Sequence, residues 1–204
     1  MKTIDVPESI PIFPLQGAVL FPTGNIPLHI FEPRYCAMVD EALRSSRLIG
    51  MIQPKNSGEE LYDIGCIGRI TSFEELEDGR YIISLTGHSR FKYISDTLTD
   101  EGYRLAKICN ADFDEDQDVQ KCLSLDRERF HSLLETYFGH HDLDYNMDLI
   151  NEATDHKLIT CLSMICPFTP SEKQALLEAK CCKTRAKLFM AMLEIETHNK
   201  SCDA

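Results

Sequence analysis

The chain has 204 residues, 26% of them charged, and a formal net charge of −12, the balance of a soluble globular protein of one domain or two small ones. Residues 1–117 carry 11 Lys/Arg against 19 Asp/Glu, and residues 118–204 carry 10 against 14, so neither half offers the broad basic surface that tracking a phosphate backbone needs. No apolar run reaches membrane-spanning length, no signal-peptide core follows Lys2, and the nine cysteines form no Cys-x-x-Cys pair, which together point to free thiols in a reducing cytoplasm.

Residues 1–9 read as a flexible lead. The run from Ile10 to Pro22 is apolar but broken by Pro11, Pro14, Pro22 and Gly17. Prolines remove backbone donors and oppose helix, so the run is extended, with a bend at Gln16-Gly17. A short strand follows over Ile26–Ile30, then a helix opened by Pro33, whose apolar stripe is Tyr35, Met38, Val39, Ala42 and Leu43. Residues 48–52 form a buried strand and 54–60 a loop. Residues 65–73 and 81–86 pair as a hairpin around Asp78-Gly79, with Gly87 ending the second strand. Residues 90–94 and 103–108 are further strands.

The composition changes at the acidic connector 112–118. A helix is expected from Val119 to Phe138, stopped by Gly139, then one or two short helices over 147–165. Thr169, Pro170 and Glu172 spell an N-cap, a first-turn proline and a capping box. That helix carries Leu176 and Leu177 and breaks at Cys181-Cys182. An apolar stripe of Ala186, Phe189, Met190 and Leu193 continues to Glu196, before a frayed end. Strands first and helices second make the fold class α+β, with a strand-rich part over 1–115 and a helical part over 116–204.

Four fragments, in order, resemble the substrate-binding (N-terminal) domain of the Lon ATP-dependent proteases. They are Pro14-Leu15 with Val19-Leu20-Phe21-Pro22 and Pro27-Leu28-His29-Ile30, then Leu61-Tyr62 with its following strand, then Asp78-Gly79 through Gly87-x-x-Arg90-Phe91, then Ser171-Glu172-Lys173-Gln174-Ala175-Leu176-Leu177-Glu178. The resemblance implies a small β-barrel-like (PUA-like) subdomain beside a helical bundle. It implies a non-catalytic domain that binds unfolded or tagged polypeptides, with a separate protease as a partner. These 204 residues contain no Gly-x-x-x-x-Gly-Lys-Ser/Thr phosphate loop and no counterpart of the Lon Ser-Lys peptidase, so the chain reads as a stand-alone form, not an enzyme and without a cofactor.

Other chemistries were weighed residue by residue. An uncharacterised hydrolase built on a Cys-His pair is the further alternative, but Cys36, Cys66, Cys161 and Cys166 fall on apolar faces, where a thiol packs as a small hydrophobe. The only local group of metal-ligand types is His140-His141 with Asp142 and Asp144, which reads as a solvated loop and gives no metal site. Arg90, Lys92, Arg104 and Lys107 lie on adjacent strands and are the one candidate nucleic-acid patch, which the net charge opposes. The opening unit is the candidate peptide site: Phe13, Pro14, Leu20, Phe21, Pro22 and Phe31, at an edge able to accept an added strand. The competing assignment for the same residues is the barrel core.

Overall fold

The computed structural model describes residues 5–55, 58, 60–117, 125–141, 143 and 146–202. Six strands come first: β1 (Ser9–Pro14), β2 (Asn25–Ile30), β3 (Leu48–Ile52), β4 (Ile64–Glu75), β5 (Tyr81–Leu98) and β6 (Arg104–Cys109). Helix α1 (Pro33–Arg44) interrupts them, starting at Pro33 with the expected stripe of Tyr35, Met38, Val39 and Ala42 buried. The sheet order is β2-β5-β4-β3-β1-β6, and β5 also pairs with β6. That extra pairing closes a five-stranded barrel and leaves β2 appended outside it.

Closure depends on the length of β5. Gly87 does not end a strand as expected; β5 runs through it for 18 residues. A Cβ at Gly87 would stand 2.0 Å from the Phe21 carbonyl oxygen. The glycine is there because the opening run crosses β5 at backbone contact. The first half of β5 pairs with β2 and β4, and its second half with β6. Gly79, at φ 79°, turns the β4–β5 hairpin as expected. Residues 5–8 are not a free lead either, since Ile108 N donates to the Glu8 carbonyl at 2.9 Å.

The helices are α2 (Arg127–His140), α3 (Met147–Glu152), α4 (Asp155–Ile165), α5 (Pro170–Glu178) and α6 (Cys182–Cys202). A 3-10 turn over Ala111–Gln117 joins them to the barrel side. Polar side chains start each of α2 to α5: Asp126, Asn146, Thr154 and Thr169 accept from first-turn N–H groups, and Glu172 completes the capping box. The start of the expected helix at Val119 lies outside the described residues. Its stop is not Gly139, which stays helical; α2 ends one residue later, capped by His141 at φ −108°. Helix α6 continues past Glu196 to Cys202.

One cluster fills the barrel interior, with Ile10, Ile12, Leu48, Ile67 and Phe91 at its centre. A larger one runs without a break from Leu20, Phe21 and Leu85 to Phe130, Leu176 and Phe189. Barrel and helices therefore share a core. Polar clamps reinforce the junction. Arg90 is buried in an ion pair with Asp116 at 2.7 Å and donates to the carbonyls of Leu177, Ala179 and Lys180. Gln53 donates to Pro170 O and Gln174 Oε1, while Gln174 donates to Ile64 O. Lys173 Nζ donates to Gly17 O and Met164 O. The Glu172-Lys173-Gln174 triplet is thus a docking key: one residue caps the helix and two bind backbone across the junction.

Candidate functional site

The structure disperses the six residues expected to form a peptide site. Phe13, Leu20 and Phe21 are 8%, 1% and 0% exposed, and Pro22 is also buried. Phe21 sits under the Arg185 guanidinium, whose Cζ lies 4.8 Å from the ring centroid. These four belong to the core because the run that holds them lies where barrel meets helices. They cannot meet a peptide in this conformation. Pro14 is half-buried at the end of β1, and Phe31 alone stands out, at 62% exposure, beside His29.

Strand addition at the opening unit also finds little to use. β1 is paired on both sides, in parallel to β3 and antiparallel to β6. The edge strand is β2. Gly87 N donates to Gly24 O, and the same register carries Ile26, Leu28 and Ile30 onto β5. Antiparallel alternation then turns the backbone of Asn25, Pro27 and His29 outward. Pro27 has no N–H, so the middle donor of that edge is missing, a recognised guard against added strands.

The basic quartet is divided as well. Arg90 is buried, and Arg104 donates to Asp96 through Nε at 2.6 Å and Nη2 at 2.9 Å. Only Lys92 and Lys107 are exposed. Of the cysteines, Cys66 and Cys166 are buried as expected, and burial pushes the Cys166 thiol up to about 12. Cys161 is exposed rather than core, and Cys182 is disulfide-bonded rather than free. Of the histidine loop, Asp142 and Asp144 lie outside them too.

Another concave surface lies among the helices. A groove of about 690 Å³ opens between the C-terminal end of α2, α3 and α4. Phe138, Leu149, Leu158, Cys161, Leu162 and Ile165 make its apolar wall, with Asn146, Glu152 and Lys157 as polar lining. Leu149 and Ile165 are 66% and 70% exposed, although both are large aliphatic side chains. The volume lies within the range of about 300–1,000 Å³ that ligand sites occupy. Exposed apolar side chains gathered in one concavity mark a place where another apolar surface seats.

The groove has a rigid frame. Arg127, at the start of α2, reaches across to the α3–α4 connection. Its Nη2 donates to Ala153 O at 2.6 Å and its Nε to Asp155 at 2.8 Å; Nη1 meets the carbonyls of Ile150 and Asn151. Asp155 in turn accepts from Leu125 N. One guanidinium therefore satisfies the end of α3 and fixes the start of α4, and it ties together the helices that line the groove.

Sequence reading passes over this site because each side chain looks like core. One signal was available. Helix α4 carries Leu158, Ile159, Cys161, Leu162, Met164 and Ile165, more apolar positions than one buried face of an 11-residue helix requires. Ile159 is fully buried in the core, and Leu158, Cys161, Leu162 and Ile165 line the groove, the last of them 70% exposed.

The pairing of a small closed barrel with a capped helical bundle is the fold of Lon N-terminal domains. A crystal structure of a Lon N-terminal domain protein from Xanthomonas campestris superposes with a TM-score of 0.64 at 24% identity, over 90% of this chain and 97% of that one. The N-terminal domain of a Mycobacterium avium complex Lon protease gives 0.65 at 15% identity, over 91% and 98%. The profile of the ATP-dependent protease La (LON) substrate-binding domain matches residues 9–194, and the chain belongs to that family. Among full-length relatives, a Lon protease of Parabacteroides distasonis is 32% identical and Lon protease 1 of Bdellovibrio bacteriovorus 28%, each over 94% of this chain. The chain spans 24% and 25% of those two relatives, and 13% of a Lon protease from Anaeromyxobacter dehalogenans.

Proposed function

We propose that this chain is a non-catalytic recognition domain that engages unfolded or tagged polypeptides in the groove between α2, α3 and α4, and that it serves a protease of the Lon type in the cytoplasm. The groove itself carries the reading. It is apolar and concave, and its frame holds exposed leucine and isoleucine side chains that the fold does not use. An unfolded client has the complementary property, apolar side chains not yet buried, and docking removes both surfaces from water. Family membership supports the same role.

The test is binding of a reduced, alkylated and permanently unfolded model protein, followed by fluorescence anisotropy, with a single-stranded RNA as competitor. The reading expects saturable binding to the unfolded protein that RNA does not displace. Salt-sensitive RNA binding that outcompetes the polypeptide would overturn it and favour a nucleic-acid module.

A further inference from the structure

A second concavity lies where the α5–α6 connection meets the first turn of α4 and the 3-10 turn. It holds about 90 Å³, and Lys180, Cys181, Lys183 and Arg185 line it from the connection and the start of α6. It shares no lining residue with the helical groove.

Arg185 gives this pocket its character. Its side chain is 4% exposed, and only Nε has a hydrogen-bond partner, donating to Leu176 O at 2.9 Å. Nη1 and Nη2 have none among the described residues. The Phe21 ring covers one face of the guanidinium, with Cζ 4.8 Å from the centroid. A buried guanidinium ordinarily meets a carboxylate at its open edge. Elsewhere in this fold it does: Arg90 pairs with Asp116 at 2.7 Å and Arg104 with Asp96 at 2.6 Å. Asp116 also lines the pocket, but both its oxygens already accept from the Arg90 side chain. Burial, with the Arg90 charge adding to it, pushes the Arg185 guanidinium down to about 10, so it is still a cation at neutral pH.

The charges around it do not balance. The Arg90–Asp116 pair cancels, which leaves Arg185, Lys180 and Lys183 against the carboxylate of Glu115 among the lining side chains. Lys180 and Lys183 are exposed and take part in no ion pair among the described residues. Helix α6 starts on the same wall, so its positive end adds to the surplus. Two neighbours report the resulting field. The Thr184 side chain, then the N–H groups of Thr184 and Lys183, hold the Cys181 thiol below its ordinary value. Burial, then the Arg185 charge, hold His156 below its own, so that ring stays neutral.

We propose that this pocket binds a phosphoryl group, either as inorganic phosphate or on a phosphorylated side chain of a polypeptide. Its volume of about 90 Å³ is roughly that of three waters, room for one tetrahedral oxyanion and too little for a nucleotide. A phosphate monoester carries close to two negative charges at neutral pH, about −1.5 to −2. The cation surplus matches that charge, whereas a carboxylate would leave part of it uncompensated. The Nη edge of Arg185 offers parallel donors to two phosphoryl oxygens, and the lysines act as point charges beside it.

The probes are inorganic phosphate, a fluorescein-labelled Gly/Ser hexapeptide carrying one phosphoserine, and the same peptide unphosphorylated, all at one ionic strength set with sodium chloride. The proteins are the natural chain and the Lys180→Glu/Lys183→Glu variant. Both positions are exposed and neither side chain bonds to a described residue, so the melting point should hardly move. Binding is read by peptide anisotropy and by the rate at which iodoacetamide alkylates Cys181, since a seated dianion covers that sulfur and raises its pKa. Phosphate should slow alkylation of Cys181 and leave Cys161 unchanged, and like charges facing the ligand should cost the variant roughly tenfold or more in affinity. If the phosphopeptide outbinds its unphosphorylated form and far more phosphate is needed to displace it, the site takes phosphorylated chains. If phosphate protects Cys181 at concentrations no higher than the phosphopeptide requires, the site takes the free ion. A folded variant with undiminished binding overturns the proposal. So does a natural chain in which phosphate leaves Cys181 alkylation unchanged and both peptides bind equally. Lys183→Ala, which removes one charge and adds none, makes the same comparison where the reversal prevents folding. Substitutions in the helical groove leave these results unchanged, so the two sites fail or stand separately.

Discussion

Replacing Leu149 and Ile165 together by serine should abolish most client binding without unfolding the protein. Full burial of a leucine or isoleucine side chain contributes about 1.5–3 kcal/mol. These two are 66% and 70% exposed, so that fraction remains for a client to cover. Scaled by exposure, each offers about 1–2 kcal/mol and the pair about 2–4 kcal/mol. At about 1.4 kcal/mol per factor of ten, the double variant should bind roughly 30- to 700-fold more weakly. The assay is anisotropy titration with the unfolded model protein, alongside thermal melting. Surface substitutions away from caps and clamps stay within about 0.5 kcal/mol of neutral, so the melting curve should hardly move. A folded variant with affinity within about twofold of the natural chain would refute the assignment of the groove.

Three further outcomes concern the scaffold. Arg90→Met should destabilise the protein by about 3–5 kcal/mol in urea unfolding, because it leaves Asp116 as an unpaired buried charge; a loss below about 1 kcal/mol would mean the clamp is not a stabilising link. Phe21→Asp should yield no folded protein by circular dichroism, since it places a carboxylate at a fully buried position in the shared core; a variant with a native melting transition would contradict the core assignment. Hydrogen bonds from Arg104, with Tyr93 adding to them, hold the Asp96 carboxyl below the ordinary carboxylate range. The stability this contributes is present above the unfolded value of about 3.9 and is lost as pH falls through the lower folded one. Asp96→Asn should therefore show lower stability at neutral pH and a shallower loss on acidification, and an unchanged acid limb would remove Asp96 from that role.

The elements were largely legible because their signals are local. Pro33 at the start of α1, Gly79 in the hairpin and the Thr169–Glu172 box act within a few residues, and the structure has each in place. The role of Lys173 and Gln174 within the helix-start motif is not legible in the sequence. Their partners, Gly17, Gln53 and Ile64, lie more than 100 residues away, and no periodicity reports such contacts. Gly87 was misread for the same reason: glycine in a strand signals either an ending or a close approach, and only the crossing of Phe21 decides. Hydrophobicity marked Phe21 and Leu149 alike as apolar. Which one the fold covers depends on tertiary packing, and there the sequence-level site and the structural one part.

Cys161 offers the most direct measurement of the central claim, because this exposed thiol stands on the groove wall, while Cys181 is exposed outside it. Alkylation rates at both thiols are to be measured by peptide mass spectrometry, with and without saturating unfolded client. Docking in the groove predicts that the client slows alkylation of Cys161 and leaves Cys181 unchanged. Equal rates at Cys161 with and without bound client would contradict it.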